Sequence, residues 1–206
     1  MKRTIDEHAA RFSERADEYD ESNTAEYRRC RDLVIEYADP GSDDVVLDLG
    51  TGTGAIALEL TPAAKLVVGR DISEGMLQQA RRKASERGIE DVEFGEGRFR
   101  EPNYEGPVDV VTSNFAMHHL DDDGKREAID SIAAYAPDRI VLGDVMFFEE
   151  PDPDEPFYSP DVDDPATVGT LVEAFTDAGF AVTTVDRVHD QVGVIVADRL
   201  AVSSHG

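Results

Sequence analysis

The chain has 206 residues, with 45 acidic side chains against 20 basic ones, a formal charge of -25 and a single cysteine. The length fits one domain, and a hydrophobic content of 40% supplies a core where a poorer composition at this charge would mark disorder. Cys30 alone excludes a disulfide framework and a multi-cysteine zinc site, and the lack of a Lys/Arg stripe argues against a nucleic-acid backbone as ligand. No apolar run approaches the ~18 residues that a membrane helix needs. The start MKRTIDEHAARF has no apolar signal region, so a cytoplasmic, membrane-free protein is expected.

Residues 1–40 have a charged helical pattern, with Phe12, Ala16 and Tyr19 and then Tyr27, Leu33, Val34 and Tyr37 at helical intervals, which predicts an N-terminal helical cap. Asp39-Pro40-Gly41 ends it. Val45 to Leu49 reads as a first strand that runs into glycines and a helix over 55–60. Leu66 to Val68 leads to Asp71, and Met76, Leu77, Ala80 and Ala84 share one helix face up to Gly88. Further strands are expected at 92–94, 108–111 and 139–143, with a helix after Asp121 carrying Ile129, Ile132, Ala133 and Ala136. Residues 149–165 are too rich in proline and acid for an element. A helix over 168–175 and two β-rich runs, 180–188 and 192–197, close the pattern as a hairpin. Alternating strands and helices imply an α/β unit over 41–200 with a sheet covered on both faces, followed by a short tail, 201–206.

Asp48-Leu49-Gly50-Thr51-Gly52-Thr53-Gly54 lies between the first strand and its helix. Glycines there let the backbone turn sharply and approach a ligand, and the helix behind them offers unpaired N–H groups. Asp71, at the end of the second strand, can accept both hydroxyls of a ribose, so the pair points to a nucleoside-containing ligand. Gly50-x-Gly52-x-x-Ala55 also satisfies the dinucleotide fingerprint. Asp48 disfavours that alternative, since a carboxylate near the loop suits the ammonium of an amino acid and repels a pyrophosphate. A nicotinamide-dependent oxidoreductase therefore stays as the alternative enzyme, and a binding or regulatory subunit that keeps the fold without catalysis is a third.

With FSERADEYDES, VVLDLGTGTG, VVGRDISEGML, VDVVTSNFAMHHL, IVLGDV and the terminal hairpin in this order, the chain resembles the class I S-adenosylmethionine-dependent methyltransferases that act on small molecules. The resemblance implies a three-layer, Rossmann-like, seven-stranded mixed sheet with the last strand antiparallel. It implies S-adenosylmethionine as methyl donor and a small-molecule acceptor. It puts Gly50, Thr51, Gly52 and Gly54 against the methionine part, Asp71 on the ribose, Ile72 and Met76 beside the adenine, Tyr19 on a closing helix, and Asn114 at the amino or sulfonium end. Some similar enzymes pair the third-strand edge with a small activator subunit; that partner, or a homodimer, is compatible with this chain.

One position departs from the family. Arg98 stands where an acid usually accepts from the adenine amino group, and arginine only donates. Either the adenine is held by the Phe99 backbone and apolar walls, with Arg98 stacking on the ring, or the pocket is altered, or the site is a degenerate, non-catalytic one. His118 and His119, shortly after the fourth strand, can act as base or orient an acceptor, or can pack the loop; similar sequences favour His119. The amino-methylating tetrapeptide is absent, since Ser113-Asn114-Phe115-Ala116 stands there, and no cysteine follows the fourth strand. No carboxylate accompanies the two histidines locally, so no metal is expected. In the acidic loop, Phe157 and Tyr158 either line the acceptor pocket or pin the loop to the body. The dispersed acidity resembles proteins of salt-loving archaea, in which molar salt shortens the Debye length to roughly 3 Å and screens self-repulsion.

Overall fold

The computed structural model describes Ser13, residues 24–151 and residues 156–200. Phe12, Ala16 and Tyr19 of the expected cap, and the tail 201–206, lie outside the described residues. Helix α1 (Ala25–Ala38) starts at Thr24, whose hydroxyl accepts from the Tyr27 amide at 3.1 Å, and stops at Asp39 in the left-handed region. Its buried face is Cys30, Leu33, Val34 and Ala38. Cys30 is fully enclosed, and burial pushes its thiol pKa up, which suits a packing residue rather than a nucleophile.

The chain then alternates as expected: β1 (Val45–Leu49), α2 (Ala57–Leu60), β2 (Leu66–Asp71), α3 (Glu74–Arg87), β3 (Val92–Glu96), β4 (Val110–Asn114), a 3₁₀ turn (Met117–His119), α4 (Asp122–Ala133), β5 (Arg139–Phe147), β6 (Ala166–Thr167), α5 (Val168–Asp177), β7 (Phe180–His189) and β8 (Val192–Arg199). Seven strands lie in the order β3-β2-β1-β4-β5-β8-β7, with β6 a short addition to β5. The strands from β3 to β5 pair in parallel, while β8 runs antiparallel to both β5 and β7. This is the mixed, doubly covered sheet implied by the sequence.

Strand periodicity divides the core. Val45, Leu47 and Leu49 join the cluster built with α4 and α5, whereas Val46 joins the cluster built with α1 and α2. Every residue of β1 and β4 is buried, as expected for central parallel strands. Among the described residues no helix is long and apolar enough to cross a membrane.

Three departures from the expected boundaries have a visible cause. β4 starts at Val110 rather than 108, because the Asp109 carboxylate takes the Val45 amide at 2.8 Å in place of a backbone carbonyl. α2 keeps only one turn, the preceding residues being used in the glycine turn. β5 continues four residues beyond Gly143, since β8 pairs with it as far as Val145↔Val192. That extension brings Asp144 to the same sheet edge as the two histidines.

Candidate active site

The sheet order reverses between β1 and β4, and the crevice above their carboxyl ends is the expected ligand position in such folds. A cavity of about 430 Å³ opens there. Gly50 (φ 69°) and Gly52 (φ 54°) both take the left-handed conformation. A Cβ on Gly50 would fall 2.4 Å from the Ala116 Cβ, so glycine is required, whereas a Cβ on Gly52 would meet nothing within 4 Å. The Gly50 and Thr51 amides donate to the Arg70 carbonyl at 2.8 and 3.0 Å, tying the turn to β2. Asp71 accepts from the Gly52 amide and from the Ser73 amide, each at 2.8 Å. Burial raises its pKa, and those amides partly offset the rise. Each carboxylate oxygen keeps capacity for a further donor.

Ile72, Met76 and Phe99 give the cavity its apolar wall, with Arg98 at the rim. Arg98 is exposed, and its backbone exchanges hydrogen bonds with Glu101 at 2.9 and 3.1 Å, which brings Glu101 to the same wall. An acid is thus present three residues beyond the position where Arg98 replaces one. Beneath this loop the buried Arg70 guanidinium donates to Pro102 O at 3.1 Å and pairs with Glu93. Arg70 was not anticipated as a site-supporting residue; nothing in a strand pattern marks an inward arginine.

Asn114 ends β4 on the opposite wall. It is buried, and neither its Oδ1 nor its Nδ2 has a hydrogen-bond partner. Gly143 makes room for it, since a Cβ there would stand 2.5 Å from Asn114 Oδ1. Both atoms are enclosed as well as unpaired, and an enclosed donor and acceptor without partners cost free energy until a polar group comes within reach of them. Two expected positions sit behind the wall instead of on it. Asp48 is enclosed beneath the turn, accepting from Thr112 Oγ1 at 2.7 Å while its Oδ2 lacks a partner; burial raises its pKa to about 6. Thr51 lies near enough to hold that rise back, although its Oγ1 does not reach hydrogen-bonding geometry. Gly54 faces Phe94, Ala80 and Leu58, so its missing Cβ serves helix-to-strand packing rather than the cavity. Tyr19 lies outside the described residues, but Tyr27 of α1, read only as a helix-face residue, lines the cavity.

The other half of the site is aromatic and acidic. Phe115 holds φ 53°, a strained conformation for a bulky side chain, and its ring meets Tyr27 at 5.1 Å and Phe157 at 6.3 Å. His119 lines the cavity, whereas His118 lies behind it, their ring centroids 4.1 Å apart. His118 Nδ1 bonds Asp144 Oδ1, and Asp144 Oδ2 accepts from the Met117 and His118 amides at 2.8 and 3.1 Å. Burial alone would lower the His118 pKa, but the charge and hydrogen bond of Asp144 outweigh it and raise it. His119 Nδ1 lies 2.8 Å from Asp163 Oδ1, and Asp163 Oδ2 accepts from the Ser159 amide. Burial lowers the His119 pKa in spite of Asp163. The carboxylates judged missing beside the histidines are therefore supplied from 26 and 44 residues away. Phe157 and Tyr158 lie off the cavity wall: the Phe157 amide donates to Gln191 Oε1 at 2.9 Å and Tyr158 packs on Phe147, so both pin the loop.

Fold and site together define an α/β protein whose cavity, at the switch point of the sheet, brings a glycine turn and a buried carboxylate together with an unpaired amide. A family model described as a methyltransferase domain matches residues 46–136. An uncharacterised methyltransferase of Bacillus velezensis is 32% identical over 151 residues, covering 66% of this chain and 69% of that protein. The chain spans about two thirds of the length of the curated relatives it matches. Among solved structures, a complex of the Haloferax volcanii Trm112 methyltransferase activator with a presumed methyltransferase matches at TM-score 0.77 (18% identity, 91% of this chain, 96% of that one). The DhpI–SAH complex matches at 0.73 (21% identity, 96% and 98%). At these identities the solved structures speak for the fold alone. The chain belongs to the class I S-adenosylmethionine-dependent methyltransferase family, which removes the nicotinamide alternative.

Proposed function

We propose that this chain transfers the methyl group of S-adenosylmethionine to a small acceptor held beside His119. The observation that carries the donor half is Asn114, whose buried amide leaves both polar atoms unpartnered across the cavity from the glycine turn and Asp71. The amino-acid end of the donor offers both a donor and an acceptor to that amide, and Asp71 suits its ribose. Bound there, the donor supplies an electrophilic methyl group on a sulfonium. Asp48, below the turn, adds negative potential that favours the cationic donor.

The acceptor half follows from His119. With Nδ1 donating to Asp163, Nε2 is the basic nitrogen, and a pKa below the ordinary imidazole value keeps it neutral at pH 7. His119 then takes a proton at Nε2 from a protic acceptor, while Tyr27 and Phe115 exclude water. In this reading residues 41–200 form the catalytic unit and residues 1–40 its cap. The contacts of Ser13 with Ser73 (2.9 Å) and the Gly75 amide (3.3 Å), at the start of α3, support a cap on the donor side. The edge position of β3 and the likeness to an activator-bound protein favour a small activator over a homodimer. The excess of 45 acids over 20 bases favours a cytoplasm of high salt.

Release of S-adenosylhomocysteine against a panel of thiols, phenols, amines and carboxylic acids tests this. His119→Asn is expected to lower kcat on the best acceptor by about 100-fold or more with donor affinity unchanged. An unchanged kcat removes His119 as base; no turnover by the wild type on any acceptor, with donor bound, returns the chain to a non-catalytic subunit.

A further inference from the structure

Two imidazoles and two carboxylates meet at the carboxyl ends of β4 and β5, more than one proton acceptor requires. One ring nitrogen of His118, one of His119 and one oxygen of Asp163 all lie within 4.8 Å of one another, with His118 and Asp163 buried. We propose that His118, His119 and Asp163 form a binding site for one divalent transition-metal ion, with Zn²⁺ as the best match.

The donor set argues for the class of ion. Two imidazole nitrogens and one carboxylate suit zinc, cobalt or iron, whereas Mg²⁺ and Ca²⁺ prefer oxygen ligands. The supporting contacts resemble those that orient metal ligands. Asp144 holds His118 Nδ1, which leaves Nε2 for the ion, and is itself fixed by the Met117, His118 and Val145 amides. The Ser159 amide holds Asp163 Oδ2 and leaves Oδ1 beside His119 Nδ1 at 2.8 Å. Zinc bonds of roughly 2.0–2.1 Å in a tetrahedral set put neighbouring ligand atoms about 3.3 Å apart. His119 and Asp163 would open by about half an ångström and His118 would close in, shifts within side-chain reach. Binding at Nδ1 displaces the proton that His119 shares with Asp163, and the imidazole takes one up at Nε2, so the ring stays neutral and no net proton is released. Three protein ligands leave a fourth position open.

A loaded site leaves His119 Nε2 carrying its proton, so the ion acts as a brake on proton removal; that consequence rests on the proposed function, while metal uptake does not. The test is titration of Co²⁺ into chelator-stripped full chain, followed by visible absorption. One equivalent with the intense bands of a four-coordinate, nitrogen-ligated site, displaced by Zn²⁺, is expected. Asp163→Asn and His118→Asn should each weaken uptake by about 100-fold, and Asp144→Asn by roughly 10- to 100-fold, with near-UV circular dichroism reporting folding. Weak, pale octahedral Co²⁺ binding by the wild type, or unchanged uptake in folded Asp163→Asn, would assign the ion to surface carboxylates and overturn the site. The wild-type spectrum decides alone if the variants do not fold.

Discussion

The walls of the cavity that we propose for the donor and for the acceptor are built by different means. On the donor wall, Gly50, Gly52 and Asp71 work through backbone amides and short hydrogen bonds between β1 and β2, and the unsatisfied groups, Asn114 and Asp48 Oδ2, wait beneath or beside them. On the acceptor wall, side chains pair across long stretches of chain, His118 with Asp144 and His119 with Asp163, and few polar groups are left over. The donor side thus stores a cost that a ligand relieves, while the acceptor side is already internally paired.

The largest expected effect is on the acceptor side. Asp144→Asn leaves His118 buried without its counter-charge and should destabilise the fold by about 3 kcal/mol. Because the folded-state pKa of His118 is raised, the pair contributes fully below the ordinary value of 6.5 and its contribution is lost as pH rises through the raised value. Denaturant melts should show the deficit at about pH 5.5 and a smaller one at about pH 8.5; equal deficits would deny the pairing. On the donor side, Gly50→Ala forces a Cβ into Ala116 at positive φ, with an expected loss of about 2–3 kcal/mol and at least a tenfold fall in donor affinity by calorimetry.

Asp48→Asn sharpens the contrast by having the opposite sign. With a folded pKa of about 6 against an ordinary 3.8, ionised Asp48 costs the folded state roughly 2–3 kcal/mol above pH 6, a cost that vanishes as pH falls to about 4. The variant should therefore melt later than wild type at pH 7.5, equal it at about pH 4, and bind donor more weakly. A melting point unchanged at pH 7.5 would mean the carboxylate is not strained there. The smallest effect belongs to Phe157→Ala, which loosens the loop against Phe115 and His189 and should raise acceptor KM by roughly three- to tenfold with donor binding intact. Loss of donor binding in that variant would make the loop part of the donor wall.

The two walls also differ in how far the sequence discloses them. Gly50, Gly52 and Asp71 are legible because the turn, the strand before it and the acid after the next strand stand in one βαβ unit, where spacing along the chain is spacing in the fold. Gly54 carries the same letter but answers to helix packing, which spacing does not distinguish. Asp144 and Asp163 were hidden because the extra residues of β5 and the loop before β6 decide their positions, and those depend on pairing with β8 and on the Ser159 and Gln191 contacts. Arg70 was hidden for a related reason: a buried arginine becomes tolerable through Pro102, Asn103 and Glu93, which lie in other segments. Local order thus disclosed the sheet and the donor wall, whereas long-range pairing made the acceptor wall.

The most direct test of the central claim is isothermal titration of S-adenosylhomocysteine into the full chain in molar salt, with Asn114→Ala alongside. The account predicts one site per chain, affinity reduced by about tenfold or more in Asn114→Ala, as expected when a buried ligand contact is lost, and no heat with NAD. Absence of binding by the folded wild type, or equal binding by Asn114→Ala, would contradict it.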